Sequence, residues 1–215
     1  MKARVIVVED HPMFRERLVH LIEREPDMEV CGEADNVPDG VALIRKEKPH
    51  VVILDITLKS SNGLELLKDL RASRLEVPVL VLSMHEESLY AERALRAGAR
   101  GYITKSEASS RVLAALREVL RGEVYLDAKT TARIVRRAVS ATKDEPLNPV
   151  ARLSDREMEV FDLLGRGRTT REIGARLRVG LTTVDTYRAR IKEKLQLENG
   201  ARLFAEASRW VQSRE

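Results

Sequence analysis

The sequence has little cysteine, few aromatic residues and no long uncharged segment. Its 215 residues include a single cysteine, Cys31, so a disulfide framework within the chain is excluded. No uncharged stretch approaches the roughly 20 residues that a membrane-spanning helix needs. The first apolar run ends at Glu9 and Asp10, which is too early for a signal peptide. We therefore expect a cytoplasmic protein that has no contact with a membrane.

Nitrogen and sulfur ligands for a metal are also scarce. The chain has four histidines, and they show no ligand spacing with Cys31. A zinc or haem site is therefore not expected. The histidines are His11, His20, His50 and His85.

Length and charge together predict two domains with different partners. A chain of 215 residues exceeds one average domain. Residues 1–120 contain 18 Lys+Arg and 20 Asp+Glu, whereas residues 151–215 contain 14 and 10. The basic excess at the C-terminus suggests a polyanionic partner for that part. A solvated helical surface is the alternative, and net charge does not separate the two.

The first half alternates short apolar runs with segments of helical spacing. The run Val51–Leu54 is followed by Asp55 and predicts a strand buried on both faces. A later run contains Pro78, which we place in the first turn of its strand. Five strands alternating with five helices predict an α/β fold with a doubly wound, five-stranded parallel sheet. The predicted strands cover residues 5–8, 28–34, 51–54, 77–82 and 100–104.

Polar residues follow the predicted strands at the points where they end. In an open parallel sheet these ends share one edge, where ligands bind. Three carboxylates, one hydroxyl and one ammonium should therefore share one cleft. They belong to Glu9, Asp10, Asp55, Ser83 and Lys105.

The chemistry of such a cleft is restricted. Two carboxylates about 4 Å apart repel each other by roughly 4 kcal/mol at an effective dielectric constant of 20, so three favour a bound cation. Oxygen ligands alone suit Mg²⁺. A carboxylate such as that of Asp55 can attack phosphorus, and Mg²⁺ and Lys105 could neutralise the transferred group. Taken singly, Asp55 and Ser83 could instead cap helices, and Lys105 could be a solvated lysine.

The same residues resemble a response-regulator receiver domain, of flavodoxin-like fold, over residues 1–121. The match is carried by Glu9-Asp10-His11-Pro12, Leu54-Asp55, Gly63, Leu82-Ser83, Gly98-Ala99-Arg100-Gly101-Tyr102 and Thr104-Lys105. The resemblance implies that a histidine kinase phosphorylates Asp55 and that Lys105 contacts the phosphoryl group. It also implies that Ser83 and Tyr102 are the switch residues. The implied Mg²⁺ ligands are Glu9, Asp10, Asp55 and the Thr57 carbonyl.

One position departs from the family pattern. Many relatives have proline four residues after the phosphorylated aspartate, whereas Lys59 stands there in this chain. We expect the loop of Lys59, Ser60, Ser61 and Asn62 to be more mobile, with an effect on loop rigidity and phosphate lifetime. His11 and His85 flank the cleft and receive no role.

Residues 122–150 predict a linker that contains a basic helical segment, followed by a flexible tether from about Ala141 to Pro149. Residues 151–215 predict a small all-α domain. Ser154 and Glu157 form a capping box for its first helix. Thr169 or Thr170 caps the second helix, and Thr182 or Thr183 begins the third. Two short helices around a tight turn match a helix-turn-helix.

The third helix can bury Val184, Tyr187, Ile191 and Leu195 and present a polar face edged by basic residues. Such a face suits the major groove of DNA, although an ordinary amphipathic helix with solvated basic flanks has the same pattern. The predicted contact residues are Thr169, Thr170, Thr182, Thr183, Asp185, Thr186, Arg188, Ala189, Arg190, Lys192 and Lys194.

Residues 151–212 resemble the LuxR-type DNA-binding domain of the NarL/FixJ class. The match is carried by Leu153-Ser154-Asp155-Arg156-Glu157, Glu172-Ile173-Gly174, Thr183-Val184-Asp185-Thr186-Tyr187 and Lys194-Leu195. Many relatives have lysine and histidine where Asp185 and Tyr187 stand. Our hypothesis is that Asp185 accepts a hydrogen bond from cytosine N4, while Arg188, Arg190, Lys192 and Lys194 attract the phosphate backbone.

Together the two resemblances imply a transcriptional regulator gated by phosphorylation. Its only covalent chemistry would be phosphorylation and autodephosphorylation at Asp55. The implied partners are a sensor histidine kinase, double-stranded DNA and a second copy of the chain, with RNA polymerase as a further candidate.

Two alternative functions belong to other classes of protein. A Mg²⁺-dependent phosphatase would need an acid where Thr57 stands, and a DNA-binding protein independent of phosphorylation would be expected to lose an acidic or lysine residue of the cleft.

Overall fold

The computed structural model describes residues 2–58, 62–83, 88–140 and 149–212. The chain divides into two compact units, Met1–Val139 and Ser140–Glu215. The loop at Lys59, the residue His85 and most of the predicted tether lie outside the described residues. The predictions made for them therefore stay predictions.

The first unit contains a five-stranded parallel sheet in the order β2-β1-β3-β4-β5. From the neighbouring strands β1 and β3, the sheet continues to β2 on one side and to β4 and β5 on the other. The direction in which successive strands are added therefore reverses between β1 and β3, as it does in doubly wound folds. This confirms the predicted architecture. The strands are β1 (Ala3–Val8), β2 (Met28–Ala34), β3 (Val51–Asp55), β4 (Val79–Ser83) and β5 (Gly101–Thr104).

Five helices accompany the sheet: α1 (Pro12–Glu23), α2 (Val37–Glu47), α3 (Gly63–Ala72), α4 (Ser88–Ala97) and α5 (Ala108–Leu120). Two of them begin at asparagines whose side chains accept backbone N–H bonds, Asn36 for α2 and Asn62 for α3. Helix α4 is followed by Gly98 at φ +114°, a conformation that favours glycine.

The register of the central strands aligns their C-terminal ends. Asp55 pairs with Leu82, and Ser83 pairs with Thr104. Every residue of β3 and β4 is buried, including Asp55 and Ser83. The polar residues that follow the apolar runs are therefore held at one level of the sheet. The prediction for Pro78 was wrong, because β4 begins at Val79 and Pro78 precedes it.

The segment after α5 is attached to the edge of the sheet. The N–H of Tyr102 donates to the Tyr125 carbonyl at 3.0 Å, and the N–H of Tyr125 donates to the Arg100 carbonyl at 2.9 Å. Asp127 accepts the N–H of Thr130 and so caps α6 (Ala128–Ser140). The first compact unit therefore extends beyond residue 121.

The second unit is helical. It consists of a 3₁₀ helix (Pro149–Arg152), α7 (Asp155–Gly165), α8 (Thr170–Leu177), α9 (Leu181–Leu195) and α10 (Gly200–Gln212). Phe161 of α7 and Trp210 of α10 meet edge to face, with ring centroids 5.5 Å apart. Val184 and Ile191 of α9 are fully buried. A single apolar core therefore holds α7, α9 and α10 together.

The helix starts of the second unit follow from their caps. Capping boxes are present at Ser154 with Glu157 and at Thr169 with Glu172, so Thr169 rather than Thr170 caps α8. The predicted start of the third helix was wrong. Gly180 is the N-cap of α9, and its carbonyl accepts the N–H of Thr183, so the helix already includes Leu181.

Candidate functional site

The structure brings the predicted strand-end residues into one cleft. Glu9 and Asp10 follow β1, Asp55 ends β3, Ser83 ends β4 and Lys105 follows β5. All five side chains are buried. Charged side chains are almost never fully buried unless they are paired, so the contacts within the cleft decide what it can hold.

Lys105 is the cation of the cleft. Its Nζ lies 2.6 Å from Glu9 Oε2 and 2.8 Å from Asp55 Oδ2. The same ammonium lies 4.8 Å from the centre of the Phe14 ring, on its face. One positive charge is thus shared between two buried carboxylates, and among the described residues of the cleft the buried acids outnumber the buried ammonium.

Asp55 is held from several sides. Its Oδ1 accepts the N–H of Thr57 at 3.1 Å. A Cβ on Gly63 would stand only 2.1 Å from the Asp55 carbonyl oxygen, so the start of α3 can approach this strand end only with glycine there. Burial raises the pKa of Asp55 to about 7 against the opposing effect of Lys105, and the Glu9 carboxylate adds to the rise. The carboxylate therefore favours a further cation beside it.

Four ligand groups converge on the acidic side of the cleft. Single ligand atoms of Glu9, Asp10, His11 and Asp55 all lie within 4.8 Å of one another. The His11 Nδ1 atom lies 3.0 Å from Glu9 Oε1 and 2.8 Å from Asp10 Oδ1. Carboxylate oxygens are the ligands that Mg²⁺ prefers, so this donor set fits the ion.

Sequence reasoning placed His11 at the flank of the cleft but did not assign it to this group of ligands. The available signal was its position directly after Glu9 and Asp10 at the end of a central strand. Ser83 and Tyr102, the predicted switch residues, are both buried and stand on neighbouring strands, where Tyr102 pairs with Val81.

The predicted nucleic-acid face lies on α9 and on the start of α8. Val184 and Ile191 of α9 are fully buried. Arg188, Lys192 and Thr170 are half-buried. The exposed members of the predicted set are Thr169, Thr182, Thr183, Asp185, Thr186, Ala189, Arg190 and Lys194.

Two basic residues of this set already have partners within the second unit. Arg188 Nη1 donates to Thr170 Oγ1 at 2.9 Å and to Asp185 Oδ1 at 3.0 Å, and so connects α8 with α9. Lys194 Nζ donates to the buried Glu157 Oε2 at 2.6 Å. Burial alone would raise the pKa of Glu157, but the hydrogen bonds from Lys194 and Ser154 together lower it.

Comparison with protein families identifies both units. Residues 5–117 match the response regulator receiver domain, and residues 151–207 match the bacterial regulatory proteins of the luxR family. The first match alone spans more than half of the chain. The chain belongs to the response-regulator family. A receiver domain joined to a LuxR-type DNA-binding domain is the make-up of a DNA-binding transcription regulator.

Two relatives match this response regulator over nearly its whole length, and a solved structure matches about two thirds of it. A transcriptional regulator of Pseudomonas aeruginosa is 36% identical over 96% of this chain and 98% of its own. The transcription regulator BvgA of Bordetella pertussis is 35% identical over 97% and 98%. A crystal structure of a LuxR-family two-component response regulator from an Aurantimonas species has a TM-score of 0.61 and 32% identity, and the match covers 65% of this chain and all of that one.

The two relatives from Pseudomonas aeruginosa and Bordetella pertussis are named transcription regulators, and their matches extend across both units of this chain. The receiver implies a kinase partner, and the LuxR-type domain implies DNA. Among the described residues, none of the helices combines the length and apolar composition needed to cross a membrane.

Proposed function

We propose that this response regulator accepts a phosphoryl group on Asp55 from a sensor histidine kinase in the cytoplasm. An Asp55 carboxylate oxygen attacks phosphorus, the new O–P bond forms, and the P–N bond to the kinase histidine breaks. The observation that carries the proposal is the buried Asp55 carboxylate at the end of β3, 2.8 Å from the Lys105 ammonium. The ammonium is placed to balance charge on the transferred group.

The donor set of the cleft supports Mg²⁺ as the cofactor. Glu9, Asp10 and Asp55 would hold the ion, and the resemblance to receiver domains adds the Thr57 carbonyl. When bound, Mg²⁺ supplies positive charge to the phosphoryl oxygens. The chain itself supplies the nucleophile, the Lys105 ammonium and the Thr57 N–H that orients the Asp55 carboxylate. His11 adds a ring nitrogen at the rim, which this oxygen-based assignment does not require.

Phosphorylation is proposed to reach the second unit through Ser83 and Tyr102. An aspartyl phosphate adds negative charge and strong acceptor oxygens to the cleft, and the Ser83 hydroxyl moves toward them while the Tyr102 ring reorients. The receiver then controls dimerisation or release of the DNA-binding domain. Helix α9 enters the major groove of double-stranded DNA in this proposal, and two copies occupy adjacent half-sites.

Self-phosphorylation tests the chemical part of the proposal. The wild-type chain, incubated with acetyl phosphate and Mg²⁺, should gain the mass of one phosphoryl group, and Asp55→Asn should gain none because its amide is not a nucleophile. Asp69→Asn, which alters an exposed aspartate of α3, is the matched control and should behave as wild type. Equal phosphorylation of the Asp55→Asn variant would overturn the assignment.

Gating needs a separate measurement. The affinity of the wild-type chain for its operator should rise after treatment with acetyl phosphate and Mg²⁺, and that of Asp55→Asn should not respond. An operator affinity that is indifferent to phosphorylation of Asp55 would defeat the gating proposal while leaving the acceptor chemistry intact.

A further inference from the structure

The first residue of α9 exposes a large apolar side chain. Leu181 is 54% exposed. Among the described residues of the second unit, the other exposed large apolar side chain is Phe204 of α10, at 48%. Single exposed apolar residues are common on protein surfaces, so the meaning of Leu181 depends on its position.

The helix-turn-helix fixes that position. Gly174 of α8 could not carry a side chain, because its Cβ would stand 2.9 Å from the Val179 carbonyl oxygen. The same Cβ position lies 3.5 Å from Leu181 Cδ2. The turn therefore brings the backbone of α8 close to the first turn of α9, and Leu181 is seated over it.

Leu181 lies one helical turn before Asp185, on the same side of α9. Four residues of helix advance about 6 Å, or roughly two base-pair steps of about 3.4 Å. Asp185 is held by Arg188, which is itself bonded to Thr170 of α8. This corner of the helix-turn-helix is thus fixed and carries an apolar group beside a hydrogen-bond acceptor.

We propose that Leu181 reads sequence by packing against the 5-methyl group of a thymine in the major groove. Recognition helices contact base edges mainly with their N-terminal residues, and an apolar side chain there meets the thymine methyl. The inference rests on the proposed insertion of α9 into the major groove. It adds a base contact that the predicted contact set, whose members on α9 begin at Thr182, does not contain.

A methyl-deletion scan tests the contact. The full chain, phosphorylated with acetyl phosphate and Mg²⁺, first selects a duplex from a random pool. Each thymine of that duplex is then replaced singly by deoxyuridine, which removes only the 5-methyl group. Dissociation constants are measured for wild type, Leu181→Ala, Leu181→Met and Phe204→Ala. Circular dichroism checks that the variants keep their helices.

One deoxyuridine position per half-site should weaken wild-type binding about fourfold, the factor that corresponds to about 0.8 kcal/mol for one buried methyl group. For that position, Leu181→Ala should bind the thymine duplex and the deoxyuridine duplex with the same dissociation constant. Leu181→Met, which keeps an apolar contact, and Phe204→Ala should retain a preference for thymine.

Two results overturn the inference. In the first, Leu181→Ala loses as much affinity as the wild type at every deoxyuridine position. In the second, the affinity of the wild type does not change at any deoxyuridine position. A different result marks the failure of the proposed function itself. If the wild-type chain binds the selected duplex no more tightly than a scrambled one, α9 does not read DNA and the inference falls with it.

Discussion

The cleft of the first unit and the α9 face of the second use charge in opposite ways. In the cleft, Glu9, Asp55 and Lys105 are buried, and each carboxylate lies within 2.8 Å of the ammonium. On α9, Asp185 and Arg190 stand in solvent. Charge in the cleft is coupled to folding, whereas charge on α9 remains available to a partner.

This difference predicts different responses to the removal of a charge. A buried ion that loses its partner keeps the cost of its lost hydration, which reaches several kcal/mol. An exposed ion is screened by water, and its pairing contributes less than about 1 kcal/mol. Substitutions in the cleft should therefore change stability, and substitutions on the α9 face should change binding.

The largest effect is expected at Lys105. Lys105→Met leaves Glu9 and Asp55 buried without their cation, and the free energy of unfolding should fall by about 3 kcal/mol. Urea unfolding without divalent cations measures the loss. Added Mg²⁺ should recover part of it by supplying the missing charge. Lys46→Met, at a lysine whose side chain is 77% exposed, should change stability little, and equal losses in both variants would remove the contrast.

A smaller effect is expected at Asp185, and it concerns recognition. If Asp185 accepts a bond from cytosine N4, Asp185→Ala should reduce the discrimination between operator variants at one base pair by about 2 kcal/mol. Binding to duplexes with each base pair at that position provides the measurement. Glu193→Ala removes an exposed acid from the same helix and should leave discrimination unchanged. Wild-type discrimination by Asp185→Ala would sink the hypothesis.

The smallest effect is expected at Glu157 of the second unit. Like the acids of the cleft, this glutamate is buried and paired with a lysine. Glu157→Gln loses the charged side of the capping box and should destabilise the chain by about 1 kcal/mol at pH 7. The pKa of Glu157 is lowered in the fold. Its contribution is therefore present above the unfolded pKa of about 4.3 and is lost as the pH falls through the lower folded value.

Urea unfolding of wild type and Glu157→Gln between pH 7 and pH 3 should show this convergence. The exposed acid Glu198 supplies the control, since Glu198→Gln should match wild type throughout. A difference between wild type and Glu157→Gln that grows as the pH falls would contradict the assigned sign.

Much of the cleft was predictable because a parallel sheet converts sequence position into spatial position. An apolar run followed by a polar residue marks a strand end, and the register Asp55↔Leu82 and Ser83↔Thr104 places those ends at one edge. The capping box of Ser154 and Glu157 was predictable for a similar reason, since its partners are three residues apart. For α8 the sequence left Thr169 and Thr170 as alternative caps, and the structure shows that Thr169 is the cap.

Contacts between distant elements were not predictable in this way. Lys194 has the pattern of a phosphate-binding residue on α9, and only the packing of α7 against α9 shows that it is bonded to Glu157. The start of α9 was misplaced because threonine is a good cap in isolation, yet Gly180 takes that position in the turn. The attachment of Tyr125 to β5 joins two segments through backbone atoms alone.

The sequence by itself determined the alternation of strands and helices, the identity of the acidic and lysine groups at the strand ends, and the helix-turn-helix. These depend on local periodicity and short spacing, which a linear pattern contains. Only the tertiary structure decided that Lys105 lies between Glu9 and Asp55, that His11 joins the acids, and that Arg188 orients Asp185. Such pairings depend on side-chain directions in three dimensions, even where, as for Asp185 and Arg188, the two partners are close together in the sequence.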